Sequence, residues 1–143
     1  MAVGVVACLT AGVVNALEQK SVSGALDEAV RFVNFVKSEL RYRASDFGAI
    51  YEKGKCRKYS HIKFESGEIK LTLRSDSVFK KEFSDFINRI GTTDEEGQLA
   101  LCDEYSKRFS DMLEKRRKNE NEKIQVNTAL SVFGALCLLI FFL

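Results

Sequence analysis

The side chains that could support catalysis in this 143-residue chain are few and scattered. His61 is the one histidine, and no acidic residue or cysteine stands at a spacing typical of a catalytic pair or a metal site. We therefore expect it to be a surface or partly packed residue. The sequence contains no glycine-rich phosphate-binding loop, so work driven by nucleotide hydrolysis would have to come from a partner. We predict a protein that is not an enzyme and that uses no metal or cofactor.

Cysteines occupy positions 8, 56, 102 and 137, and these spacings match neither a zinc site nor a disulfide framework. Two of the four lie in the uncharged ends of the chain. We interpret all four as reduced packing residues, which is typical of a protein domain that faces the cytoplasm.

Three consecutive acids, Asp94 to Glu96, could be imagined as a metal site, but they are better explained as the start of a helix, where negative charge is favourable. Thr93 and Glu96 have capping-box spacing, so Thr93 is the predicted N-cap. Asp94 is expected either to cap the helix or to contact a partner. Gln98 is expected to be exposed or to form a hydrogen bond between helices.

This cap is predicted to open one continuous helix over residues 92–143. Apolar residues recur at steps of three and four over 101–113, and residues 114–123 then form a stalk of charged and amide side chains. Residues 124–143 carry no charge, and twenty residues at about 1.5 Å each would cross the roughly 30 Å core of a bilayer. The pattern predicts a C-terminal transmembrane helix that is continuous with the last helix of the domain.

The first 17 residues are also uncharged, at the short end for a membrane span. A signal-peptide core is the alternative, although no basic leader precedes the run. Gly4 and Gly12 belong to a stripe of small residues, and Ser131 belongs to a similar stripe near the other end. Such stripes are common in membrane helices, and they let helices approach closely. We expect the two segments to pair along them.

The distribution of charge predicts how the chain sits in a membrane. Seven basic residues precede the C-terminal span over 107–123, and no charged side chain follows it. By the positive-inside rule, the domain over residues 18–123 should face the cytoplasm, with both termini outside. Binding to nucleic acid is disfavoured, because acids interrupt the basic cluster and the net charge is only +2.

Between the two spans, apolar periodicity predicts a long amphipathic helix over 22–43 and a helix over 78–90 with a phenylalanine-rich face. Gly91 should end the second of these in a left-handed turn that folds the last helix back against it. Residues 75–77 offer caps for its start.

Ser45 and Asp46 are the predicted caps of a short helix over 47–53, which Gly54 should close. Residues 56–74 alternate around Ser66 and Gly67 as a hairpin would, although an isolated hairpin is barely stable, so hairpin and helix both stay open. The predicted fold class is all-α: a small antiparallel helical bundle flanked by two transmembrane helices.

Three stretches together resemble the stage III sporulation protein AB family. They are Gly-Thr-Thr-Asp-Glu-Glu-Gly-Gln at 91–98, Lys-Asn-Glu-Asn-Glu-Lys at 118–123 leading into the terminal span, and Glu-Leu-Arg-Tyr at 39–42, which is similar to the family's Glu-x-x-Tyr. The similarity is convincing over 39–47 and 83–143. The family's Thr-Pro-Leu is replaced by Ser-Asp-Phe at 45–47, and residues 55–81 depart from the pattern.

The resemblance implies a protein similar to the platform proteins of type II secretion and type IV pilus machines. It would serve in the channel complex between mother cell and forespore, in the forespore outer membrane. Its domain would face the mother-cell cytoplasm beside a secretion-type ATPase and other sporulation membrane subunits. Under this scaffold hypothesis, the candidate partner contacts are Arg41, Tyr42, Arg43, Asp94 and Gln98.

A different hypothesis is a small membrane-bound sensor or regulator that relays a signal through the stalk at 114–123. Such a relay would depend on the helical register of the stalk. Under either hypothesis, apolar stripes on so thin a bundle suggest that a partner or a second copy of the chain completes part of the core.

Overall fold

The computed structural model describes residues 2–43, 46–74 and 76–142, and this part of the chain forms four helices and one β-hairpin. The elements are α1 (Ala2–Arg43), α2 (Phe47–Lys55), β1 (Ile62–Glu65), β2 (Glu68–Leu71), α3 (Ser77–Arg89) and α4 (Glu95–Phe142). The prediction of a mainly helical fold is confirmed. The predicted N-terminal segment and the amphipathic helix over 22–43 join in α1 without a break, since no proline interrupts them.

Helices α1 and α4 pack side by side and run antiparallel. Near one end of the pair, the Ser23 hydroxyl donates to the Glu120 carboxylate over 2.7 Å. Near the other, Lys37 forms an ion pair with Asp103. Residue numbers rise along one helix as they fall along the other. The start of α1 therefore lies at the same end of the pair as the end of α4.

Helix α3 packs against α4 through aromatic rings, as the sequence predicted. The Phe79 and Phe109 ring centroids lie 5.5 Å apart, and those of Phe86 and Tyr105 lie 5.3 Å apart. The chain reverses between these helices at Gly91, whose φ of 83° is in the left-handed region that favours glycine. The prediction of a glycine turn that folds α4 back onto α3 is confirmed.

Residues 62–71 form the hairpin that the sequence left open. Ser66 and Gly67 make a two-residue turn with φ of 53° and 80°, and positive φ at both positions is typical of a type I′ hairpin turn. Opposite Phe64 lies Ile69, so the apolar residues of both strands share one face. That face packs against α1, where the Phe64 ring lies 6.0 Å from the Phe32 ring. The hairpin is stable because it is not isolated.

Gly54 does not end α2, contrary to prediction. It lies buried within the helix, and a Cβ at this position would lie 2.8 Å from the Phe64 ring. The residue is glycine because the hairpin approaches the helix closely there. The predicted cap Asp46 is confirmed, since its carboxylate accepts a hydrogen bond from the Ala49 N–H over 2.9 Å. The other predicted cap, Ser45, lies outside the described residues.

Helix α3 begins one residue earlier than predicted, at Ser77. Of the residues offered as caps, Asp76 takes the role, with its carboxylate accepting from the Phe79 N–H over 3.0 Å. Its φ of 71° is unusual for a residue with a side chain.

The predicted continuity of the last helix is confirmed, since α4 continues from Glu95 through the stalk to Phe142. Within the described part of the chain, no helix contains a stretch both long and apolar enough to cross a membrane. Several large apolar side chains near the end of α4 are exposed to solvent: Ile124, Val126, Leu130, Val132, Phe133, Leu136 and Ile140. The predicted pairing of the stripes that contain Gly4, Gly12 and Ser131 falls on positions whose side-chain contacts lie outside the described part of the structure.

Candidate docking surface at the end of the helical pair

The antiparallel packing brings most of the predicted partner contacts to one end of the helical pair. Arg41 and Tyr42 lie in the last turn of α1, and Asp94 and Gln98 flank the start of α4. We call this end, defined by residues 41–42 and 94–98, the distal end. The side chain of Arg43 lies outside the described part, although its backbone completes α1.

Tyr42 is the most prominent side chain at the distal end. It is 77% exposed, although most large apolar residues of the domain are buried. The Arg41 guanidinium carbon lies 6.0 Å from the Tyr42 ring centroid, at the outer limit of a cation–π contact. Tyrosine and arginine are the residue types enriched at the energetic centres of protein interfaces. An exposed pair of this kind suits protein docking.

The start of α4 differs from the prediction by one residue. The helix begins at Glu95, and the Asp94 carboxylate accepts from the Gly97 N–H over 3.2 Å, so Asp94 is the N-cap and the prediction of Thr93 is wrong. The capping box fails because the helix starts one residue too late for it. The Thr93 carbonyl instead accepts a hydrogen bond from the Gln98 side-chain amide over 2.8 Å. Gln98 thus closes its own turn rather than joining two helices.

Asp94 therefore combines two properties. It is exposed, and it stabilises the first turn of α4 as its cap. Any substitution that removes its charge should preserve its capping ability if partner binding is to be read separately from helix stability. Asparagine meets that requirement, since it caps about as well as aspartate.

Throughout the described residues, no three His, Cys, Asp or Glu side chains gather closely enough to hold a metal ion. His61 lies near Gly24 on α1 and is half-buried, which agrees with the prediction of a partly packed residue. Its backbone N–H donates to the Glu28 carboxylate over 2.8 Å, which ties the segment before β1 to α1.

Glu28 is a structural residue that the sequence analysis missed. Its side chain is buried, and its second carboxylate oxygen accepts from the Ser60 N–H over 2.8 Å. The available signal was its position: it lies three residues after Ala25 and four before Phe32, within the buried stripe of α1. An acid in an apolar stripe requires hydrogen-bond donors, and the loop supplies them.

The stalk is held against the rest of the domain. Arg116 forms an ion pair with Asp76 at the start of α3. Arg117 lies 3.9 Å from the Asp27 carboxylate of α1, and Glu120 accepts the hydrogen bond from Ser23. Polar contacts with two helices therefore fix the first two-thirds of the stalk.

The cysteines divide into two environments. Cys102 is buried, so its interpretation as a packing residue is confirmed, whereas Cys56 and Cys137 are exposed free cysteines and only the packing part of the interpretation is wrong for them. Cys8 lies outside the described side chains. Burial raises the pKa of the Cys102 thiol to about 12, and the nearby Asp103 carboxylate contributes. Cys56 is the C-cap residue of α2.

We expect iodoacetamide to modify Cys56 in the folded chain while Cys102 stays protected. The thiolate is the reactive form, and with a pKa of about 12 only about one Cys102 thiol in a thousand is ionised near pH 9. Peptide mass mapping after timed labelling measures both rates. A urea-unfolded sample provides the control, in which the two cysteines should react alike. Equal rates in the folded chain would contradict the buried position of Cys102.

Comparison of the chain with protein-family models, curated proteins and solved structures found no match. The fold is an antiparallel pair of long helices, α1 and α4, with a smaller layer formed by α2, α3 and one β-hairpin.

Proposed function

We propose that this protein is a non-enzymatic, membrane-anchored scaffold that docks partner proteins at the distal end of its helical pair. One observation carries the proposal. The antiparallel packing of α1 and α4 places their two uncharged ends at one end of the pair and the exposed Arg41 and Tyr42 at the other. An anchor and a docking surface at opposite ends are what a scaffold requires.

Membrane anchoring is supported by the sequence of the two ends and by the side chains near the end of α4. Residues 1–17 and 124–143 contain no charged side chain. Leu130 and Phe133 are 70% and 69% exposed, and side chains of this kind are stabilised when they are transferred from water to hydrocarbon. The basic residues of the stalk favour an orientation with the domain in the cytoplasm.

The cellular setting is the more specific part of the proposal. We place the protein in the channel complex between mother cell and forespore, in the forespore outer membrane with its domain in the mother-cell cytoplasm. Its partners there would be a secretion-type ATPase and other membrane subunits of the same complex, with self-association as a further arrangement. This part is supported only by the resemblance of residues 39–47 and 83–143 to the stage III sporulation protein AB family.

The sensor hypothesis is less well supported. A relay would require the stalk to rotate or shift relative to α1. The contacts of Arg117 with Asp27 and of Glu120 with Ser23 oppose such movement. A stalk fixed to its domain favours a scaffold.

Replacing Tyr42 with alanine and Arg41 with glutamate should reduce partner recovery strongly while the domain stays folded. Central tyrosine and arginine side chains typically contribute about 2 kcal/mol or more to binding, which corresponds to about a thirtyfold loss of affinity. The measurement is a crosslinking pull-down of the full chain, extracted from membranes of sporulating cells, with partners quantified by mass spectrometry.

The matched control is Lys107→Glu, which makes the same charge reversal on an exposed position of α4 outside the distal end. It should leave recovery unchanged. A second comparison, Asp94→Asn against Asp94→Lys, separates the loss of charge from the loss of the helix cap. Full recovery of the ATPase with the Tyr42 and Arg41 substitutions would show that the distal end is not the docking surface.

A further inference from the structure

A cavity of about 400 Å³ lies between the first turn of α3 and the stalk, at the end of the domain opposite the distal end. Its described lining combines cations, acids and an apolar side chain, among them Lys115, Arg116, Lys123, Asp76, Glu120 and Val78. Val78 is 64% exposed at this position, although it lies in a helix with an otherwise buried apolar face.

Some of the charged side chains that line the cavity have partners in the described structure, and others do not. Asp76 pairs with Arg116, and Glu120 accepts a hydrogen bond from a serine of α1. Lys115 and Lys123 form neither a hydrogen bond nor an ion pair within the described part of the chain. With three cations against two acids, the lining carries a net positive charge, and the two unpaired ammonium groups are free to bind an anion.

A second cavity of about 490 Å³ shares Asn119 and Lys123 with the first, and its described lining is completed by Glu122, Val126 and Asn127. A further cavity of about 580 Å³ lies along the next turns of α4 and is lined mainly by apolar side chains, including Ile124 and Phe133. The linings therefore change along α4 from charged to apolar where the charged stalk meets the uncharged run of 124–143. A ligand that matches this gradient has an anionic head and an apolar tail.

We propose that the cavity between α3 and the stalk binds the phosphate-bearing headgroup of an anionic phospholipid. The inference rests on the proposed membrane anchoring, since the lipid would come from the bilayer that holds residues 124–143. Lys115 and Lys123 lie about 12 Å apart along the helix axis, so a phosphate midway between them would lie about 6 Å along the axis from each. Charge-assisted hydrogen bonds from ammonium groups to phosphate are stronger than neutral ones. Val78 would contact the glycerol or the first methylene groups.

The test uses the full chain reconstituted in phosphatidylcholine vesicles with and without phosphatidylglycerol. After mild detergent extraction, native mass spectrometry counts the phosphatidylglycerol molecules that remain bound. The wild-type chain should retain phosphatidylglycerol in preference to phosphatidylcholine. Lys115→Gln combined with Lys123→Gln should weaken retention by about thirtyfold, since each lysine near an anionic surface contributes about a fivefold factor.

The matched control is Lys118→Gln, compared with Lys115→Gln and Lys123→Gln as single variants. Lys118 lies between the two cavity lysines along the stalk, is exposed, and does not line the cavity. A specific site predicts that this control retains phosphatidylglycerol as the wild type does. Diffuse attraction to a charged surface predicts equal losses in all three single variants, and that result would overturn the proposal.

Three further outcomes would also overturn it and can be told apart. If the wild-type chain binds vesicles but retains both lipids equally, the headgroup site fails while membrane anchoring stands. If the chain does not associate with vesicles at all, the proposed anchoring fails and the lipid site fails with it. If inorganic phosphate in detergent binds with the same affinity as the lipid, the site binds phosphate alone, and the glycerol and acyl chains of the lipid contribute nothing to binding.

Discussion

Replacing Phe32 with alanine should lower the free energy of unfolding by about 3–5 kcal/mol, because the substitution opens a cavity at the centre of the core. Phe32 is 1% exposed, and its ring lies within 6.5 Å, centroid to centroid, of five other aromatic rings. These rings belong to α1 itself, to the segment before β1, to β1 and to α3: Phe35, Tyr59, Phe64, Phe83 and Phe86. Urea unfolding of the full chain in mild detergent, followed by circular dichroism, measures the loss.

Two variants control this prediction. Phe32→Leu keeps most of the buried volume and should cost much less than alanine. Tyr42→Ala removes an aromatic ring of similar size from a position that is 77% exposed, and its effect on stability should lie within about 0.5 kcal/mol of zero. If Phe32→Ala were no more destabilising than Tyr42→Ala, the packing of Phe32 would not contribute to the stability of the core.

The second large effect is expected at Glu28. Glu28→Ala should destabilise the domain by about 2–3 kcal/mol, because the N–H groups of Ser60 and His61 lose a charged acceptor in a partly buried setting. The loss should be concentrated where the loop meets α1. Hydrogen exchange of the full chain measures this directly. Relative to the wild type, Glu28→Ala should accelerate exchange of the amides of residues 60 and 61 more than that of the amides in the middle of α1.

The neighbouring acid provides a matched control for Glu28. Asp27 lies on the same turn, but its side chain is 46% exposed, and its ion pairs with Arg31 at 3.2 Å and Arg117 at 3.9 Å are surface contacts. Asp27→Ala should therefore cost no more than about 1 kcal/mol. Glu28→Gln should fall between the two, since an amide keeps one acceptor oxygen. Equal stabilities for the two alanine variants would show that the loop does not depend on the buried carboxylate.

The sequence alone determined the helices and most of their limits. Apolar residues at steps of three and four mark the core faces of α1, α3 and α4, and the absence of proline allows α4 to continue from Glu95 to Phe142. Gly91 was predictable because a left-handed turn between helices favours glycine. These features depend on local backbone chemistry, which a single stretch of sequence contains.

Apart from the packing of α3 against α4, which the turn at Gly91 predicts, only the tertiary structure decided which elements meet. The hairpin over 62–71 is stabilised by its contact with α1, and the same contact explains why Gly54 is glycine and why Glu28 can be buried. The partners of each residue lie far away in the sequence, so no local pattern reveals them. The antiparallel register of α1 and α4 is also a tertiary feature, and it alone brings Tyr42 to the same end of the molecule as Asp94.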